Sequence, residues 1–125
     1  TEALLGLDRY EEAAQHAQRA AELANKSKNE TQRLVAAVFQ ARVQLGLGRR
    51  AEAIKTLESV EDIATSQRKT NDAANYAEWL ARALVEENPQ RARRSAELAV
   101  ERFSVLGDSE RVKDLREWIA VAFEP

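Results

Sequence analysis

Few side chains in this 125-residue chain could do chemistry, and their types and spacing favour structural roles. There is no cysteine, which excludes a disulfide, a thiolate metal site and a cysteine nucleophile. A single histidine cannot build a multi-histidine zinc site, and His16, between Gln15 and Ala17, reads as a solvent-facing side chain. Asp8, Glu11 and Glu12 could in principle exchange protons. Carboxylates at a helix start are explained more simply by the positive end of the helix dipole. Gly46-Leu47-Gly48 lacks the further glycine and the lysine of a phosphate loop and reads as a helix-ending turn. Arg91, Arg93 and Arg94, with Arg102 further on, are the densest basic cluster. Glu97 and Glu101 stand within a helical turn of them, and no aromatic residue interleaves for base stacking. That face reads as solvated and ion-paired. No catalytic constellation emerges, and neither a cofactor nor a metal is expected.

The elements that must carry these residues are helices. Alanine occurs 23 times against four Gly and two Pro, and Leu, Glu, Arg and Gln supply much of the remainder. β-branched and aromatic residues show no sustained alternation, so strands have little support. Nineteen basic against 21 acidic side chains leave a net charge of −2. That balance gives no general attraction to nucleic acid or to an anionic membrane. No apolar run approaches the ~20 residues of a membrane span.

Apolar residues at three- and four-residue steps predict six helical segments. Ala13, Ala17, Ala20 and Ala24 mark the first, followed by a polar break from Asn25 to Asn29. Leu34, Val38, Ala41 and Leu45 mark the second, which stops at Gly46 to Gly48. Ala53, Ile54, Leu57, Val60 and Ile63 form one long third segment, ended by the polar stretch Thr65 to Asp72. Tyr76, Trp79, Leu80, Ala83 and Leu84 mark the fourth. Pro89 suits the first turn of a fifth that carries Ala92, Ala96, Ala99 and Phe103 and halts at Gly107. Asp108 or Ser109 caps a sixth with Val112, Leu115, Trp118, Ile119 and Ala122 on one stripe.

The pattern repeats. Leu5-Gly6-Leu7-Asp8-Arg9-Tyr10-Glu11-Glu12-Ala13 returns 40 residues later as Leu45-Gly46-Leu47-Gly48-Arg49-Arg50-Ala51-Glu52-Ala53, with six of nine positions identical. Glu78-Trp79-Leu80-Ala81-Arg82-Ala83-Leu84 is echoed 39 residues on by Glu117-Trp118-Ile119-Ala120-Val121-Ala122-Phe123, which pairs the only two tryptophans. These motifs resemble the tetratricopeptide repeat family, with Ala13/Ala17/Ala20, Ala53/Leu57/Val60 and Ala92/Ala96/Ala99 standing where that family's second helix uses small, large and small residues. The spacing of 39 to 40 residues is longer than that family's usual period. Extended repeats of this kind are similar to sensor or scaffold regions of large bacterial signalling ATPases and transcriptional regulators.

The resemblance implies an all-α solenoid of antiparallel helix pairs, wound as a right-handed superhelix. It implies one domain over residues 1–125, with units at approximately 1–28, 29–68, 69–107 and 108–125, the first and last incomplete. With Thr1 first and no methionine, the sequence reads as a piece of a longer, cytoplasmic protein. The implied function is a non-catalytic scaffold that holds a peptide or helix of a partner protein in a concave groove. The alternative is an oligomerisation or sensor region of a larger regulator. Val38, Arg42, Ala77, Glu78, Ala81, Lys113 and Arg116 would face that groove, and Arg42, Lys113 and Arg116 would offer positive charge. The family's clamp for a peptide carboxylate is not supplied by Val38 and Arg42. Trp79 and Trp118 are expected between units, and Ala53 in a close helix contact. Leu115, Trp118, Ile119 and Phe123 exceed what one neighbouring helix covers, so Trp118 and Phe123 are candidates for homo-oligomer contact.

Overall fold

Helix boundaries follow local signals. The computed structural model describes residues 2–27 and 29–123, with the side chains of residues 2–8, 10, 25 and 27, those of Asp8 and Tyr10 among them, outside the described set. Among the described residues there are seven helices and no strand: α1 (Glu2–Ser27), α2 (Glu30–Gly46), α3 (Arg50–Glu58), α4 (Glu61–Ser66), α5 (Asn71–Leu84), α6 (Pro89–Val105) and α7 (Ser109–Ala122). The side-chain oxygens of Asn29, Thr70, Asn88 and Asp108 accept the N–H groups of Gln32, Ala73, Arg91 and Arg111 at 3.1–3.2 Å. Each cap satisfies a donor that the first turn of its helix leaves open. Pro89 occupies the first turn of α6, as its missing N–H permits.

Two helices end alike. Gly48 and Gly107 both sit at φ 78°, in the left-handed region. The following N–H groups reach back five residues, Arg49 to the Gln44 carbonyl at 2.8 Å and Asp108 to the Phe103 carbonyl at 3.0 Å. These are Schellman closures.

Two expected boundaries differ. The helix start expected at Asp8, Glu11 and Glu12 is absent, because α1 runs unbroken from Glu2 to Ser27. In the echo, the position of the left-handed Gly48 is held by Asp8, so the residue that permits the reversal is missing. The long third segment is divided at Ser59-Val60 into α3 and α4. There the Val60 N–H reaches only to the Leu57 carbonyl, and the Ser59 hydroxyl donates to the Thr56 carbonyl at 2.6 Å. A serine side chain that competes for backbone carbonyls tightens and interrupts the ladder.

The chain forms two compact units, Thr1–Ile63 and Ala64–Pro125, with the division inside α4. In the first unit α1 packs on α2 and α2 on α3. Ala17, Leu34, Ala41, Ala53 and Leu57 are fully buried there. Gln44 is half-buried and its Oε1 accepts from the Thr56 hydroxyl at 2.9 Å. In the second unit α6 packs on both α5 and α7. Ala73, Ala74, Ala77 and Ala81 of α5 and Ala92, Ala96 and Ala99 of α6 are all buried. These small side chains bring α6 close enough for the Ser95 hydroxyl to donate to the Ala77 carbonyl at 2.8 Å. Phe103, Val112 and Leu115 close the core of this unit against Ala74, Ala77 and Ala99.

Candidate protein-interaction surfaces

An apolar opening in the first unit lies between α1 and α2. Alanines 20, 24 and 36 leave its floor low, while Leu23, Val35 and Phe39 stand up as walls. The opening measures about 600 Å³. Leu23 is 67% exposed, Val35 47% and Phe39 43%, a concentration of large apolar surface that a solvated face does not need. Thr31, Val35 and Phe39 recur every fourth residue along α2, so the groove follows the helix for about two turns, or about 12 Å. None of the three wall residues belongs to the core stripe Leu34, Val38, Ala41. The sequence signal was there: a second apolar pair, Val35 and Phe39, flanking the core face.

The residues expected to line a groove separate into two groups. Val38, Ala77 and Ala81 are buried at 7%, 1% and 0% exposure, packed as core rather than offered to a ligand. Glu78 is also buried, where it acts as the centre of a polar network. Its Oε2 accepts from Arg82 Nε at 3.1 Å and its Oε1 from an Arg111 terminal nitrogen at 2.7 Å. The same Arg111 nitrogen donates to Asn75 Oδ1 at 2.7 Å, and its guanidinium lies 5.1 Å from the Phe103 ring centroid. Arg42, Lys113 and Arg116 are exposed. Lys113 and Arg116 meet in a groove of about 550 Å³ between the end of α6 and α7, beside Ser104, Val112 and Glu117. Arg42 lies in the other unit.

The tryptophans are neither solvent platforms nor dry core. Trp79 and Trp118 are both half-buried, and the Arg82 guanidinium lies over each ring, 5.4 Å and 4.8 Å from the centroids. Both distances are in the cation–π range. Phe123 meets Trp118 edge-on at 5.7 Å. The i,i+4 spacing of Glu78 and Arg82 made their pair legible. Arg111, 33 residues from Glu78, carried no such signal. No family model matches the chain, and no curated protein or solved structure is significantly similar to it. His16 is exposed, and no group of three or more His, Cys, Asp or Glu stands together as a metal site among the described residues. Among them, too, no helix is long and apolar enough to cross a membrane.

Proposed function

We propose that the chain is a non-catalytic protein-interaction module, a helical-hairpin solenoid of the tetratricopeptide kind. Its groove between α1 and α2 would take an amphipathic helix from a partner protein. The exposed apolar walls of that groove carry the reading. Its two-turn run of Thr31, Val35 and Phe39 matches the length over which a partner helix presents apolar residues at i, i+4 and i+7. Both walls are helices whose backbone groups are already paired, so an added strand would find no edge to bond. The repeat reading is supported by helix starts. Glu30 and Asn71, Arg50 and Pro89, and Asn71 and Ser109 begin helices 41, 39 and 38 residues apart. A homo-oligomer is favoured by one observation, Val121 at 73% exposure beside the half-buried Trp118, Ile119 and Phe123.

Selection of a displayed library of helical peptides on the purified chain tests the main reading. Enriched peptides should carry an apolar stripe, and their binding should be lost on Phe39→Asp, with circular dichroism unchanged. A library that yields no binder, or binders indifferent to Phe39→Asp and Val35→Asp, rejects it.

A further inference from the structure

A short turn precedes α5 and is held from three directions. The Thr70 N–H and hydroxyl both donate to the Gln67 carbonyl, at 2.9 and 2.7 Å. The same hydroxyl oxygen accepts from the Ala73 N–H at 3.2 Å. Two cations, Arg68 and Lys69, are thereby fixed at the tip, and both are exposed. Facing them are Leu98, Glu101, Arg102 and Val105, residues of one side of α6 by their spacing of three, four and seven. Together the six side chains enclose a notch of about 230 Å³.

We propose that this notch docks a partner protein segment in which carboxylates flank a large apolar side chain. The site does not involve the α1–α2 groove and stands independently of it.

Charge complementarity argues for the carboxylates. Arg68, Lys69 and Arg102 place three positive charges around the notch against the single carboxylate of Glu101. Arg102 is held in place by a hydrogen bond from one terminal nitrogen to the Ala73 carbonyl at 3.3 Å. Burial first, and then the like charge of Arg68, push its guanidinium below its ordinary pKa, against the opposing pull of Glu101 and Tyr76. A half-buried cation with another cation beside it gains from an incoming anion. The apolar requirement comes from Leu98 and Val105, exposed at 39% and 79% at the same notch. A polyanion is a poorer fit. Tyr76 is buried and no exposed aromatic residue lines the notch for stacking. The chain's net charge of −2 gives no general attraction to an extended phosphate backbone or an anionic bilayer beyond the notch.

The probe is a fluorescein-labelled twelve-residue helical peptide with two leucines flanked by glutamates. Controls carry Lys for every Glu, or Ser for both Leu. Anisotropy should show binding of the acidic–apolar peptide alone. Binding should weaken at about 0.5 M salt, where the Debye length falls to a few ångströms. Reversing the tip with Arg68→Glu and Lys69→Glu should raise Kd at least about tenfold, and Leu98→Ser should raise it several-fold. These substitutions lie at separate, exposed positions, and circular dichroism checks each fold. Amide shifts on titration should fall on residues 67–70 and 98–105. The proposal is overturned if the peptide does not bind, if the tip reversal leaves Kd unchanged, or if the shifts fall on residues 20–39. Tighter binding of oligothymidylate or phosphatidylserine vesicles than of the peptide, with the same sensitivity to the tip, equally overturns it.

Discussion

Glu78 shows how one buried carboxylate organises several elements. Its side chain is 6% exposed, whereas Arg82 and Arg111 are 30% and 40% exposed, so the pair lies at the edge of water. Breaking a fully buried ion pair by removing one partner costs ~3–5 kcal/mol. With both arginines able to turn partly to solvent, Glu78→Ala should cost about 2–4 kcal/mol. The exposed pair Arg93–Glu97, at 3.3 Å, makes the control: Arg93→Ala should leave the urea midpoint almost unmoved. Because the only two tryptophans flank Arg82, intrinsic fluorescence reports this site directly. Arg82→Ala should shift the emission to longer wavelength and lower stability by about 1–2 kcal/mol. Emission identical to the parent chain would mean that Arg82 does not cover the rings in solution. Ala53 is fully buried, as its place among the small residues predicts. Ala53→Leu should overpack the α2–α3 seam and cost roughly 1–3 kcal/mol, read as a fall in melting temperature.

At the scale of the element, the two left-handed glycines carry the sharpest prediction. A Cβ added at Gly48 or Gly107 would meet nothing within 4 Å, so any cost is conformational rather than steric. Gly48→Ala and Gly107→Ala should each destabilise by ~1–2 kcal/mol, and the Asn substitutions by less. Equal losses for Ala and Asn in chemical denaturation would contradict this account. The same residue type explains how far the repeat could be read. The echo of Leu5–Ala13 in Leu45–Ala53 is real as sequence, yet the turn forms in only one copy, because Asp8 replaces the glycine that makes it. Ser59 is the converse case. The apolar spacing of Ile54, Leu57, Val60 and Ile63 continues across it, so periodicity alone predicts one helix. The hydroxyl bond to the Thr56 carbonyl accompanies the break between α3 and α4.

At the scale of the whole molecule, the last helix bears on association between copies. Leu115 is buried, while Trp118, Ile119 and Phe123 are half-buried and Val121 is largely exposed. Trp118 has Arg82 on one face and the edge contact of Phe123, so Trp118→Ala should loosen α7 as well as weaken any self-association. Phe123→Glu removes one edge contact and adds charge at the rim, and should act chiefly on association. Sedimentation and helical circular dichroism of the two variants separate the effects. Equal unfolding of both would mean that Phe123 is structural within one copy.

What this sequence determined by itself was local. Alanine-rich helical periods, polar caps and the glycine stops are decided over a turn or two of chain, and the buried faces of Ala53, Leu57 and Val60 or of Ala92, Ala96 and Ala99 follow from their spacing. Exposure of a particular side chain is decided by whichever helix comes to lie beside it. That is why Ala77, Glu78 and Ala81, placed at a groove by spacing, are covered, while Leu23, Val35 and Phe39 are left open. The joining of Glu78 to Arg111, of Arg82 to Trp118 and of Arg68 to the face of α6 depends on packing between helices distant in the chain. Only the tertiary structure fixes those neighbours, because a buried charge is tolerated only where packing brings it a partner.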